Sequence, residues 1–133
     1  VIVLDTHVLA WAVNDERKLG RKARALIDRL WKRGEVAACA MSFWEVALLQ
    51  ARARLELPVP AEEWRGQLLA AGLLELPVDG NVGIRAVGLA GLPNDPADRL
   101  IVAAALQHDA ALVSADERLL RWDHPLVRHD ARQ

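Results

Sequence analysis

Short apolar runs alternate with longer amphipathic segments along the chain, and this rhythm predicts its elements. Val1-Ile-Val-Leu4 is β-branched and uninterrupted, the pattern of a strand buried on both faces. Thr6 to Asn14 reads as a helix with Val8, Leu9, Ala12 and Val13 apolar. Gly20 precedes a second helix, Arg21 to Lys32, whose apolar side carries Ala25, Leu26, Leu30 and Trp31. Glu35 to Met41 is the next strand, and Ser42 opens a helix to Arg54. Leu57-Pro-Val-Pro60 breaks the chain before a helix over Ala61 to Ala71. A strand at Leu73 to Leu76 and a helix at Asn81 to Leu89 follow. Gly91-Leu-Pro-Asn-Asp-Pro96 is a loop, with Pro96 placed where a helix start tolerates it. The helix from Ala97 to His108 is apolar nearly all round and is expected to be buried. Ala111 to Val113 is a strand, a short helix starts at Asp116, and Pro125 to Arg128 is the fifth strand. Strands alternating with helices predict an α/β fold, a mostly parallel sheet covered on both faces.

With 133 residues and 53% hydrophobic composition, one domain spanning 1–133 can close its own core. The lone Cys39 has no partner for an internal disulfide, and no Cys/His cluster suggests zinc, so a reducing, cytoplasmic setting is expected. No apolar run approaches the ~20 residues of a membrane helix, and no membrane role is expected. The net charge of −1 does not announce a nucleic-acid binder, but the distribution is uneven. Arg17, Lys18, Arg21, Lys22, Arg24, Arg29, Lys32 and Arg33 crowd one stretch. That stretch reads either as a track for a phosphate backbone or as a solvated face with pairs such as Arg24 with Asp28.

Four acids stand just past a strand or at a helix start: Asp5, Glu45, Asp98 and Asp116. In a parallel sheet the crevice outside the carboxyl ends of the strands collects such side chains and is where ligands bind. Each also reads as helix-end chemistry. Ser42 with Glu45, and Ser114 with Glu117, have capping-box spacing, and Asp95-Pro-Ala-Asp98 has an Asp cap, a Pro and a first-turn acid. The residues three and four further on decide which way the acids face. They are Val8 and Leu9, Leu48 and Leu49, Ile101 and Val102, Leu119 and Leu120, so each acid heads an apolar stripe. Clustered, half-buried carboxylates repel one another, and Arg99 is the basic residue noted beside them. A hard cation, Mg²⁺ or Mn²⁺, resolves that repulsion with oxygen ligands alone and suits phosphodiester hydrolysis. An aspartyl-nucleophile enzyme fits less well, because His7 stands where a second Asp is needed.

Five segments, Val3-Leu-Asp-Thr-His-Val-Leu9, Ser42-Phe-Trp-Glu-Val-Ala47, Leu74-Glu-Leu-Pro-Val78, Asp95-Pro-Ala-Asp-Arg-Leu-Ile101 and Leu112-Val-Ser-Ala-Asp116, together resemble PIN-domain toxins of the VapBC type. The resemblance covers nearly the whole chain. It implies a three-layer α/β/α sandwich around about five strands, and a Mg²⁺- or Mn²⁺-dependent endoribonuclease. Asp5, Glu45, Asp98 and Asp116 would be its catalytic and metal-binding quartet. Hydrolysis by a metal-activated water would leave 5′-phosphate and 3′-hydroxyl ends. Thr6, Ser114, Asp95 and Arg99 take supporting places, Ser114 as a hydroxyl where relatives often carry Thr and Arg99 as a partner for a carboxylate or a phosphate. The resemblance further implies a structured RNA substrate such as tRNA or rRNA, a cognate VapB-type antitoxin and a homodimer. The alternative is a PIN fold kept as a catalytically silent binding module. His7 reads as a first-turn residue beside the site. Trp11, Trp31, Trp44, Trp64 and Trp122 read as core or interface residues before base-stacking platforms.

Overall fold

The apolar run that opens the chain becomes the middle of a sheet. In the computed structural model, which describes residues 1–133, β1 (Ile2–Leu4) lies between β2 (Val36–Cys39) and β4 (Ala111–Ser114). β3 (Leu74–Leu76) flanks β2, and β5 (Arg128–Asp130) flanks β4, giving the order β3-β2-β1-β4-β5 with every pairing parallel. Parallel pairing requires a crossover after each strand. The crossovers carry α1 (Thr6–Val13), α2 (Arg21–Trp31), α3 (Ala40–Ala51), α4 (Ala61–Ala70), α5 (Gly80–Val87), α6 (Pro96–Gln107) and α7 (Glu117–Leu120).

Alternate strand residues feed two cores. Val3, Ala37, Cys39 and Leu112 face α5 and α6, and Ile101 to Ala105 of α6 are fully buried there. Ile2, Leu4, Val36, Ala38 and Val113 face the other way, against Val8 and Leu9 of α1, Ile27 of α2, Val46 of α3 and Trp64 of α4. The result is the expected three-layer α/β/α sandwich. No helix is long and apolar enough to cross a membrane.

Leu4 pairs with Ala38 and with Val113, so three neighbouring strands end nearly level. This register sets Asp5, the start of α3 and the Ser114–Asp116 segment side by side along one edge of the sheet.

Three local expectations are corrected. α3 starts at Ala40, not Ser42, so Ser42 lies inside the helix, Glu45 sits beyond its first turn, and no Ser42–Glu45 capping box forms. The Ser42 hydroxyl is engaged with Thr6 instead of its own backbone. β5 starts at Arg128 because Pro125 has no amide to donate and the Leu126 amide is taken by His124 Nδ1. Arg24 pairs with Asp15 at 2.8 Å, not with Asp28, and also donates to the Glu16 carbonyl.

Gly20 is required by close approach. The chain end folds back onto the start of α2, with the Gly20 and Ala23 amides donating to the Ala131 and Gln133 carbonyls. A Cβ on Gly20 would stand 2.1 Å from the Gln133 oxygen.

Candidate active site

At the end of β1, Asp5 caps α1 and is 9% exposed. One carboxylate oxygen accepts the Thr6 amide at 2.9 Å, and the other accepts the Ser114 hydroxyl at 2.8 Å. Ser114, the last residue of β4, also accepts the Asp116 amide at 3.0 Å. One buried hydroxyl therefore ties the first acid to the segment carrying the fourth. The Thr6 hydroxyl donates to Glu45 at 2.6 Å, and Ser42 Oγ lies 2.9 Å from it. Thr6 has a single proton, which the carboxylate takes, so Ser42 is the donor in the second bond. Asp95 caps α6 and accepts the Asp98 amide at 3.2 Å, with Pro96 at the first helical position, as its spacing predicts. Asp116 is the cap of α7, not a first-turn residue, and accepts the Arg118 amide.

Asp5, Thr6, Glu45, Asp95, Asp98 and Asp116 line one cleft of about 290 Å³. The structure thus brings together Asp5, Glu45, Asp98 and Asp116, adds Asp95, and places Thr6 and Ser114 beneath them as hydrogen-bonding supports. His7 and Trp11 stand on its walls, His7 exposed in the first turn of α1.

Arg99 does not join them. Its guanidinium spends its donors on the Ala86, Val87, Leu89, Leu92 and Pro93 carbonyls, pinning the α5–α6 connection. Five acceptors from one bend match its five N–H groups, which leaves nothing for a site carboxylate or a phosphate. The arginine of the cleft is Arg118, which the sequence reading passed over. Its guanidinium grips both oxygens of Asp116 and lies 3.6 Å from Asp98. The available signal was its place two residues after Asp116, inside the first turn of α7.

Crowding shows in the acids' affinity for protons. Burial raises Asp5 and Glu45 above their usual range, opposed by the hydroxyls of Ser114 and Thr6 respectively. Asp98 is pushed up to about 7, first by burial and then by the negative charges of Asp5, Asp95, Asp116 and Glu45. Asp116 goes the other way, held low chiefly by its hydrogen bonds from Arg118. Arg118 is 58% exposed and gives Asp98 no hydrogen bond, so one guanidinium leaves most of the negative charge uncompensated.

The structure holds no group of three His, Cys, Asp or Glu side chains set to grip one ion directly. Mg²⁺ does not need such a tripod, since it usually keeps several waters and takes one or two carboxylates. An all-oxygen donor set, half-buried and carrying excess negative charge, fits a hard divalent cation with water completing its shell. Direct ligands would come from Asp5 and Asp98, with Glu45 and Asp116 reached directly or through water.

Comparison with known proteins bears on the family and the fold. The PIN domain family matches residues 2–125. Ribonuclease VapC22 of Mycobacterium tuberculosis is 35% identical over 125 residues, 93% of each chain. Among solved structures, VapBC2 from Rickettsia felis bound to a DNA fragment from its promoter aligns with TM-score 0.70 and 16% identity, covering 96% of both chains. FitAcB from Neisseria gonorrhoeae aligns with TM-score 0.65 and 21% identity over 98% of each. The two structural matches share the fold, and the sequence match carries the kinship. The chain belongs to the PIN-domain family, among its VapC-type members.

Proposed function

We propose that this chain is the toxin of a type II toxin–antitoxin pair and an endoribonuclease that uses Mg²⁺, with Mn²⁺ able to serve. The observation that carries the reading is five carboxylates facing one cleft with a single exposed guanidinium, one of them, Asp98, pushed up to about 7. Such a site is at odds with itself until a cation enters. Its relative's name adds RNA as the substrate class.

Each residue then has a task. Ser114 and the Thr6 amide hold Asp5 with both oxygens oriented, and the Thr6 hydroxyl aims Glu45 into the cleft. Asp98, held at the start of α6, would have to be deprotonated to hold the ion. A bound divalent ion would supply Lewis acidity toward the attacking water and the scissile phosphate. Arg118 steadies Asp116 and has its exposed side toward the solvent from which a phosphate arrives. Water attacks phosphorus, the bond to the 3′ oxygen breaks and that oxygen leaves with a proton, so products carry 5′-phosphate and 3′-hydroxyl ends.

The same reading assigns a VapB-type antitoxin and a second copy of the chain as protein partners. Trp44 is 57% exposed and borders a shallow apolar hollow with Met41, Val78 and Leu100, a surface suited to protein contact. The RNA would be met in the cytoplasm, with tRNA and rRNA the leading classes.

Purified protein incubated with RNA tests the core of the proposal. Cleavage is expected with Mg²⁺, absent with EDTA and absent in Asp5→Asn. Products ending in 2′,3′-cyclic phosphate would overturn the role given to water. Antitoxin binding without any cleavage would assign the chain to a silent PIN module.

A further inference from the structure

An acidic cleft is a poor place to attract RNA. With five carboxylates against one guanidinium, the reaction centre repels a polyanion, even after one divalent ion is counted. Affinity must come from cations elsewhere, and their distribution is lopsided. Of the eight Lys and Arg residues between Arg17 and Arg33, Arg24 alone makes an ion pair, and the other seven are exposed.

The stretch is joined to the cleft. Trp11 forms part of the cleft wall, and the Lys18 ammonium stands over its ring, 6.0 Å from the centroid. From Lys18 the chain enters α2, whose first turn abuts the segment following β5. There a second cleft of about 400 Å³ opens between α2 and β5, with Lys22, Arg29 and His129 on its walls. Lys22 and Arg29 are two turns apart on one helix face, about 10 Å along the axis. The cleft's other charged groups are already occupied. Arg128 donates to the Leu119, Trp122 and His124 carbonyls, and Asp130 is held by Arg132.

We propose that Lys18, Lys22 and Arg29 form a docking track for the sugar-phosphate backbone of RNA, starting at the rim of the acidic cleft and running down the α2–β5 groove. The inference rests on the ribonuclease reading. A track continuous with the reaction cleft favours the substrate as occupant over an acidic protein segment, which has no need to begin there.

The test is binding of a single-stranded RNA of about 20 nucleotides in EDTA, where nothing is cut, by wild type and by K18Q/K22Q/R29Q. Three lost phosphate contacts should flatten the plot of log affinity against log salt by about 2, at roughly 0.7 per contact, and weaken binding about tenfold or more near physiological salt. R52Q/R54Q/R85Q changes net charge equally at exposed positions outside the track and should leave the slope unchanged. With Mg²⁺, the triple variant should lose kcat/KM on the long RNA through KM, while a fragment of about 4 nucleotides, confined to the cleft, is cut as before. The three side chains are exposed, so circular dichroism and melting temperature should match wild type. An unchanged slope, or an equal loss in the control variant, overturns the track. Loss of poly-glutamate binding with RNA binding intact also overturns it. Failure of the wild type to bind or cut any RNA removes the ribonuclease reading itself, whereas normal cutting by both proteins removes only the track.

Discussion

At the carboxyl edge of β1, β2 and β4, five carboxylates share one cleft with a single guanidinium, whereas along α2 and the loops on either side of it seven cations stand in water with no carboxylate bound to them. The two regions lie on adjoining parts of one surface, joined through Trp11 and Lys18. Their energetics differ in kind. Solvated cations cost the fold little, because water screens them. Half-buried carboxylates crowded together raise the free energy of the folded state, and the proton affinity of Asp98 records that cost. Strain of this sort persists when the surrounding packing over-determines it. Here Leu9, Ile101, Val102 and Leu119, all essentially buried, hold the acid-bearing helix starts in place. The contrast separates a site proposed to take a cation from a surface proposed to take an anion.

The strongest way to break the comparison is at its most buried acid. Asp5→Asn should lower kcat by about 10²–10³-fold or more in a Mg²⁺-dependent cleavage assay, with the melting temperature retained. Survival of activity would remove the cleft from the chemistry. A smaller loss is expected from Ser114→Ala, about 10–100-fold, because Asp5 keeps its charge but loses the hydroxyl that orients one oxygen. Ser114→Thr should restore much of it.

The two arginines sharpen the division next. Arg99→Ala strands several backbone carbonyls and should cost about 1–3 kcal/mol in a denaturant titration. Arg118→Ala, at an exposed position, should change stability by less than about 1 kcal/mol. It should nevertheless raise Mg²⁺ affinity, measured by calorimetry, since it frees Asp116.

Asp98→Asn should have the opposite sign from most core-edge substitutions. The carboxyl of Asp98 has an ordinary value of 3.8 in the unfolded chain and about 7 in the fold. Between those values the folded state keeps a proton that the unfolded chain has released, so metal-free stability falls as pH rises through this window. The full cost is present above pH 7 and absent below the unfolded value. At pH 8 without metal, Asp98→Asn should therefore be more stable than wild type, by about 1–2 kcal/mol. The same titration makes Mg²⁺ binding tighten as pH rises toward and past 7, because the ion needs the proton gone. Equal melting temperatures for wild type and variant across pH 5 to 8 would contradict the crowding assigned to this acid.

Much of the site is readable before folding, and its failures are local. Asp5, Glu45, Asp98 and Asp116 are marked by apolar residues three and four places on; Val8, Leu9, Ile101, Val102 and Leu119 are buried as expected, whereas Leu48, Leu49 and Leu120 are half-buried and join neither core. The Asp95–Asp98 cap follows from Pro96 and the N-cap preference of Asp. Arg99 and Arg118 could not be told apart in this way. Both neighbour a site acid in sequence. Arg99 follows Asp98 by one place, which on a helix turns its side chain about 100° away, toward the α5–α6 bend. Arg118 is two places from the Asp116 cap, where a guanidinium can curl back onto the carboxylate before the helix is under way. Ser42 is a related case, since a hydroxyl at a helix start competes between its own backbone and a distant partner. Thr6 from another helix won.

Sequence alone determined the alternation of strand and helix, the two-sided burial of the sheet and the position of four acids at strand ends and helix starts, because hydrophobic periodicity and turn residues act over a few neighbours. The strand register, the pairing of Asp5 with Ser114 across 109 positions, the partner of each arginine and the joining of Lys18 to the cleft were decided only in three dimensions. Those outcomes depend on which distant groups reach one another once two cores have closed, and no local pattern encodes that distance.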